Sequence, residues 1–444
     1  MGEEVCYYIK NICSSKLCTE FINDSYMNIS NNFLCFGISL MFCLGCTNIT
    51  TDASGDIDVA NAMHELETIQ LSEIADNVAY VPLETNDSCL LSPYNKLHVT
   101  EDYIIISHYS TKGEIRVFDR NTGKYLHDIG YVSNDPWGYA CYNKRINYWI
   151  DELSKEVYCN NWDNTLQVYG FEGQHHRSLS LFYDSINVIG WFANSMSFSQ
   201  EGMHVYSEWR SQVPRIVSFD KRGCPLNVYN MDVRRIQPTE KSRGVTMLAQ
   251  DSLFGSFTVF LDYDYYGSSN CVFNASDAPR TYTRNGKTYL KETFVDTIYT
   301  LQYGNKVPYL TFNMGEYLWP YDKRMEGADD NRMCVLYTLE NDDLVYFTCG
   351  QNIYDWESAN KRFFCGYYDK NKKKTRMMRG VSIQDNILHG PPFRIMGVNL
   401  SGEFFTVIQP TELLDMDEEA LSPQLRALRQ RVKVDDNPII AIAY

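Results

Sequence analysis

Glu114-Ile-Arg-Val-Phe-Asp-Arg-Asn-Thr-Gly-Lys-Tyr-Leu126 is an alternating strand, a turn carrying Asn121 and Gly123, and a return strand. The glycine supplies the positive φ that a tight hairpin needs. Thr165-Leu-Gln-Val-Tyr-Gly-Phe-Glu-Gly-Gln174 repeats the plan, and Arg215-Ile-Val-Ser-Phe-Asp-Lys-Arg-Gly-Cys224 repeats it again. The ring closing the first strand falls at Phe118, Tyr169 and Phe219, spaced by 51 and then 50 residues. Looser copies occupy residues 297–306 and 363–373. A more apolar strand precedes the hairpins at 103–107, 205–209, 257–261 and 344–348. An apolar inner strand followed by an alternating hairpin, roughly every 40–50 residues, is how a β-propeller blade looks in sequence.

Counting inner strands from residue 97 gives six blades. The sixth combines residues 403–408 and 438–444 with the early strand 78–83, so the two chain ends share one blade and close the ring. The expected fold class is therefore all-β, a six-bladed β-propeller over residues 67–444, with its fourth repeat stretched by an insertion around 262–286. Residues 411–434 break the β pattern. Leu413, Leu414, Met416, Leu421, Leu425 and Leu428 stand near helical spacing, with acid early and Arg late. This is a short C-terminal helical insertion in the last blade, split by Pro423.

Composition agrees. Of 444 residues, 14% are aromatic, including 33 Tyr and 22 Phe, which favours strands and argues against an α-rich enzyme. The formal charge of −16 removes the counterion-release drive for nucleic acid, which is excluded as a partner.

Residues 33–44, FLCFGISLMFCL, are uncharged and mostly apolar. The run is too short to span a bilayer as a helix and fits the core of a secretory signal peptide. Leu44-Gly45-Cys46 follows it as a lipobox, making Cys46 the lipidation site and residues 1–45 a leader, with Met27 an alternative start. Residues 46–66 are polar and small and read as a lipid-anchored tether. Six of 14 Cys lie in the first 46 residues, and no CxxC pair occurs after them. Zinc and redox motifs are excluded on that spacing, so neither metal nor cofactor is expected.

Several stretches together resemble the six-bladed β-propeller lipoproteins of Bacteroidetes, related to NHL-type propellers. They are Val81-Pro82-Leu83-Glu84-Thr85 followed by Leu90-Leu91-Ser92, the hairpin 117–130, and Asn437-Pro438-Ile439-Ile440 preceded by a helix. The resemblance spans residues 66–444 and implies the propeller fold and a cell-envelope location, with no particular reaction. Where that family commonly has Gly-Pro-Gly-Glu-Tyr after its first blade, this chain has Asp135-Pro136-Trp137-Gly138-Tyr139.

Catalytic signatures are scarce. There is no GxSxG elbow, no HExxH and no P-loop, and Ser218-Phe-Asp220-Lys-Arg-Gly223 lacks the spacing and Trp of a sialidase Asp-box. Candidate ligand-binding residues are instead loop aromatics and charges: Trp137, Tyr139, Trp209, Arg210 and Trp356 near strand ends, and Arg234 and Arg235 in a basic loop. Asp262 and Asp264 beside Tyr265 share one face of an extended segment. The sequence thus points to a monomeric envelope lipoprotein in the periplasm or outer membrane. Its propeller would serve as a non-enzymatic binding or scaffold module for a protein, peptide or glycan on one face. The alternative is a glycan hydrolase or lyase working in the propeller funnel, which needs two placed carboxylates.

Overall fold

The computed structural model describes residues 55–92, 94–108, 110, 112–142, 144–189, 195–206, 216–229, 246–251, 255–262, 270–275, 280–292, 294–323, 331–353 and 360–444. All of them belong to one compact unit, Ser54–Tyr444.

The three quoted hairpins form as expected, and their spaced rings mark a common irregularity. The register of the third strand against the fourth shifts between Val117 and Phe118, between Val168 and Tyr169, and between Ser218 and Phe219. A β-bulge therefore falls on each ring, which is then fully buried. The shift between Ile298 and Tyr299 repeats it a fourth time. In the first hairpin Asp119 Oδ1 accepts the N–H groups of Asn121 and Thr122 and the Thr122 hydroxyl, which fixes the turn.

Six sheets of four strands or more make the ring. The first blade is Tyr94–Val99, Tyr103–His108, Ile115–Asp119 and Tyr125–Asp128. The second is Tyr148–Asp151, Glu156–Asn160, Leu166–Gly170 and His175–Leu179; the third is Ser195–Phe198, Met203–Tyr206, Ile216–Phe219 and Pro225–Tyr229. The fourth is Thr281–Arg284, Lys287–Leu290, Thr297–Gln302 and Asn305–Asn313. The fifth is Met333–Glu340, Leu344–Gln351, Arg362–Asp369 and Lys374–Arg379. The sixth takes Gly397–Val398, Phe404–Ile408 and Ile439–Ala443 from the C-terminus and Val78–Pro82 from the N-terminal side. The first strands of the second and third, third and fourth, and fifth and sixth blades touch one another, which puts the first strands on the axis. Six apolar clusters fill the six blade-to-blade interfaces, as Ile105, Val117, Tyr148 and Val157 do between the first two blades.

Four sequence expectations change. The apolar strand before each hairpin is the second strand, not the innermost one. Leu344–Gln351 is buried at all eight positions because it has a strand on each edge and a blade on each face, whereas the first strand has one edge toward the axis. Residues 257–261 lie outside the six blades, in a separate three-stranded sheet of Thr246–Asp251, Gly255–Asp262 and Asn270–Ala275. The insertion thus precedes the fourth blade, which begins at Thr281.

The packed body also begins before residue 67. Gly55–Asp58 adds a fifth strand, parallel to Leu310–Asn313, on the outer edge of the fourth blade. The helix Val59–His64 follows, with the Asp58 carboxylate accepting the Asn61 N–H as its cap. Burial drives this: Ile57, Val59 and Ala62 join Phe312 and Phe347 in one core cluster. The chain then crosses the outside of the fifth blade, bonded by Glu67 N–H to Met377 O and by Arg376 to Glu67 and Glu73, and reaches the sixth.

The helical insertion is two short helices, Pro410–Leu414 and Pro423–Arg429, between the second and third strands of the last blade. Pro423 opens the second helix, where its missing N–H costs nothing. Leu413, Leu421, Leu425 and Leu428 are buried against Phe404, Ile408 and Ile439. Each contributes roughly 1.5–3 kcal/mol of burial.

Candidate functional site

In a four-stranded antiparallel blade, the first-to-second and third-to-fourth connections share one end. The second-to-third and blade-to-blade connections share the other. The first end is stapled by charge. Arg120 pairs with Glu403 at 2.6 Å, Arg284 with Asp342 at 2.7 Å, and Lys221 with the fully buried Asp151 carboxylate, each pair joining two blades.

The second end presents rings. Trp137 is 61% exposed, and Tyr131, Trp162 and Phe182 also face solvent. Their loops form one bonded frame. Asp135 accepts the N–H groups of Trp137 and Gly138 and the hydroxyls of Ser133 and Tyr131. Slight desolvation works against ionisation, but these bonds hold its carboxyl below the usual range. The Tyr169 hydroxyl donates to Trp137 O, and Ala140 N–H donates to Asn160 O at 2.9 Å. The Asn187 amide reaches Asn164 O at 3.0 Å, joining the turn that holds Trp162 to the small hairpin that holds Phe182.

Tyr139, expected to bind ligand, is instead core. It is fully buried, its hydroxyl donates to Gly113 O and Ile129 O, and its ring meets Tyr169 edge to face. Trp209, Arg210, Arg234, Arg235, Asp264, Tyr265, Trp356 and Cys46 lie outside the described residues. Asp262 ends the second strand of the extra sheet, and its side chain too lies outside them.

Along the axis, polar groups of the first strands pair between blades. His98 meets Glu152 at 2.9 Å, the Lys96 ammonium donates to Tyr148 O, and Ser195 bonds Thr281 at 3.0 Å. Glu340 accepts from Tyr282, Tyr309 and Lys370 at once. Lys291 is buried beside Arg280, and burial first, then that cation, lowers its pKa to about 7. Among the described residues no group of three His, Cys, Asp or Glu side chains could hold a metal ion.

One polar cluster sits at the ring-bearing end, where the opening segment, residues 83–92 between Val78–Pro82 of the sixth blade and the first strand of the first, enters the first blade. Ser92 Oγ lies 2.8 Å from His108 Nδ1, and His108 Nε2 lies 3.1 Å from Glu114 Oε2. Arg116 stands 3.5 Å from Glu114 and donates to Ser88 O at 2.7 Å. Burial first, then Arg116, pushes the His108 pKa down; burial pushes Asp128, paired with Arg116 across the ladder, up.

The profile of the family described as Domain of unknown function (DUF4934) matches residues 54–444. The chain belongs to the DUF4934 family. No curated protein sequence matches it. Among solved structures, a putative exported protein from Bacteroides fragilis superposes with a TM-score of 0.56 at 13% identity, over 85% of this chain and 97% of that one. A duf4221-family member from Bacteroides vulgatus follows with a TM-score of 0.47 at 10% identity, over 83% and 96%. The first likeness shows the fold: the DUF4934 chain is a six-bladed propeller, as its resemblance to Bacteroidetes propellers implies.

In the DUF4934 chain the spacing of Ser92, His108 and Glu114 gives no local motif. The signal that could have found them is topological: His108 and Glu114 face each other across the connection from second to third strand.

Proposed function

We propose that this DUF4934 chain is an exported cell-envelope protein, held by a lipid on Cys46, whose propeller binds an uncharged glycan at its ring-bearing end. The carrying observation is Trp137, a large ring exposed on a loop that is bonded throughout. Such a ring presents area without an ordering cost, and three further exposed rings share its frame. Flat rings beside fixed hydroxyl and amide groups suit sugar faces better than charged ligands, and the −16 charge opposes anionic ones. Export is supported by the leader-like 33–44 run and by the likeness to an exported Bacteroides fragilis protein.

The funnel-enzyme reading has less support, because the first-strand carboxylates Asp151 and Glu340 are engaged by neighbouring side chains. Thermal shift against a panel of glycans and peptides tests the proposal, since ligand binding to the folded state raises apparent stability. A neutral glycan should raise the midpoint in wild type and fail to do so in Trp137→Ala. Shifts from peptides alone would overturn the glycan assignment. Metabolic labelling with an alkyne fatty acid, lost in Cys46→Ser, tests the anchor.

A further inference from the structure

We propose that Ser92, His108 and Glu114 form a nucleophile–base–carboxylate relay that cleaves small carboxylic esters at the ring-bearing end of the first blade. This activity goes beyond the binding role and does not depend on it. The three residues come from the opening segment, the end of the second strand and the start of the third. Together they give the two linked contacts a nucleophile relay requires, at 2.8 and 3.1 Å.

The tautomer follows from the bonds. The Ser92 backbone N–H also donates to His108 Nδ1, at 3.1 Å, so that nitrogen is an acceptor and the ring proton sits on Nε2, facing Glu114. The Ser92 hydroxyl shares that basic lone pair with the backbone N–H, at the shorter distance. Ser92 is exposed while His108 is 5% exposed, so the hydroxyl is open to substrate and the ring stands directly behind it, within reach of groups bound at that hydroxyl. Glu114 is a positioning residue, held in turn by Arg116. The charged groups facing His108 are Glu114, Arg116 and Asp128; burial and Arg116 outweigh the two carboxylates and lower the ring's pKa.

In the reaction, Ser92 Oγ bonds to the ester carbonyl carbon as its proton passes to His108 Nδ1. The carbon–oxygen bond to the alcohol breaks, and the alcohol leaves with that proton. Water then adds to the acyl-serine, giving a proton to His108. The serine–acyl bond breaks as the proton returns to Oγ, releasing a carboxylic acid. The two nearest backbone donors are committed, Leu91 N–H to Asn437 and Ser92 N–H to His108. Each missing oxyanion donor costs about 10²–10³ in rate, so turnover is slow and covalent capture is the sensitive readout.

The test treats the full chain with an alkyl fluorophosphonate and with p-nitrophenyl acetate, followed by peptide mass mapping. The expected label is on Ser92, with labelling rate reduced at least 100-fold in Ser92→Ala and His108→Gln. Glu114→Gln should move the acid limb of the labelling profile to lower pH, because the carboxylate raises the proton affinity of His108; a structural role would not shift that limb. Ser92→Ala changes an exposed hydroxyl and should keep the wild-type melting midpoint. If His108→Gln fails to fold, Ser92→Ala and the pH profile decide. No label at saturating probe, or label undiminished in Ser92→Ala, overturns the relay and leaves the glycan site untouched.

Discussion

The Asn437 carboxamide oxygen accepts the Leu91 N–H at 2.8 Å, joining residues 346 positions apart. The amide nitrogen of the same side chain donates to Glu84 O at 2.6 Å and Cys89 O at 2.9 Å. One buried side chain thus fastens the opening segment to the last strand of the ring. Asn437→Leu removes three bonds and strands three backbone groups, at roughly 1–3 kcal/mol each. The urea midpoint should fall clearly, with early proteolysis between residues 83 and 93. An unchanged midpoint would refute the clasp.

Gly123 and Gly380 both have positive φ, at +68° and +89°, yet they should respond differently to alanine. A Cβ on Gly123 would lie 2.0 Å from Pro82 O, and Gly123 O also accepts the Glu84 N–H. Gly380 has nothing within 4 Å. Gly380→Ala should cost only backbone strain, roughly 1–2 kcal/mol. Gly123→Ala adds a collision of two backbones and should cost visibly more in the same denaturation series.

Trp137 and Tyr139, two residues apart, should separate binding from stability. Trp137→Ala removes an exposed ring, so stability should stay within about 0.5 kcal/mol while glycan affinity drops. Tyr139→Phe strips a hydroxyl that serves two buried carbonyls and should destabilise by about 1–3 kcal/mol with affinity unchanged. Calorimetric titration beside thermal melts reads both.

Glu156 gives a pH dependence with a definite sign. Burial opposes its ionisation, but bonds from Arg177, His176 and Tyr158 outweigh that and bring its pKa from 4.5 to about 2. A depressed carboxylate pKa stabilises the fold above the unfolded value near 4.5, and the gain is lost as pH falls toward 2. Glu156→Gln should flatten the stability curve across that window. Equal slopes in mutant and wild type would contradict it.

Much of the ring was legible because its repeat is periodic. The 51- and 50-residue spacing of Phe118, Tyr169 and Phe219 reports one bulge position built three times, and the shared last blade follows from the need to cover edges. The innermost strands were not legible: they are short, and polar residues such as Lys96, His98 and Ser197 interrupt their apolar pattern. Gly55–Asp58 hid for a similar reason, since four residues cannot display a period. Ser92, His108 and Glu114 meet only after the opening segment folds onto the first blade, and Tyr139 looked like a loop ring because sequence does not show which ring turns inward.

The segment from Gly55 to Asn77 runs outside three blades, and its course decides where the ring would give way. A closed hoop under strain ordinarily opens at its seam, here the sixth blade. That seam is girdled on its fourth- and fifth-blade side by an outer band, and on the other side it is locked by Asn437. The first opening therefore moves away from the chain ends, to the blades that the band does not cross. Hydrogen exchange should find the first breach among the first three blades, before the sixth blade, which the two chain ends share, lets go.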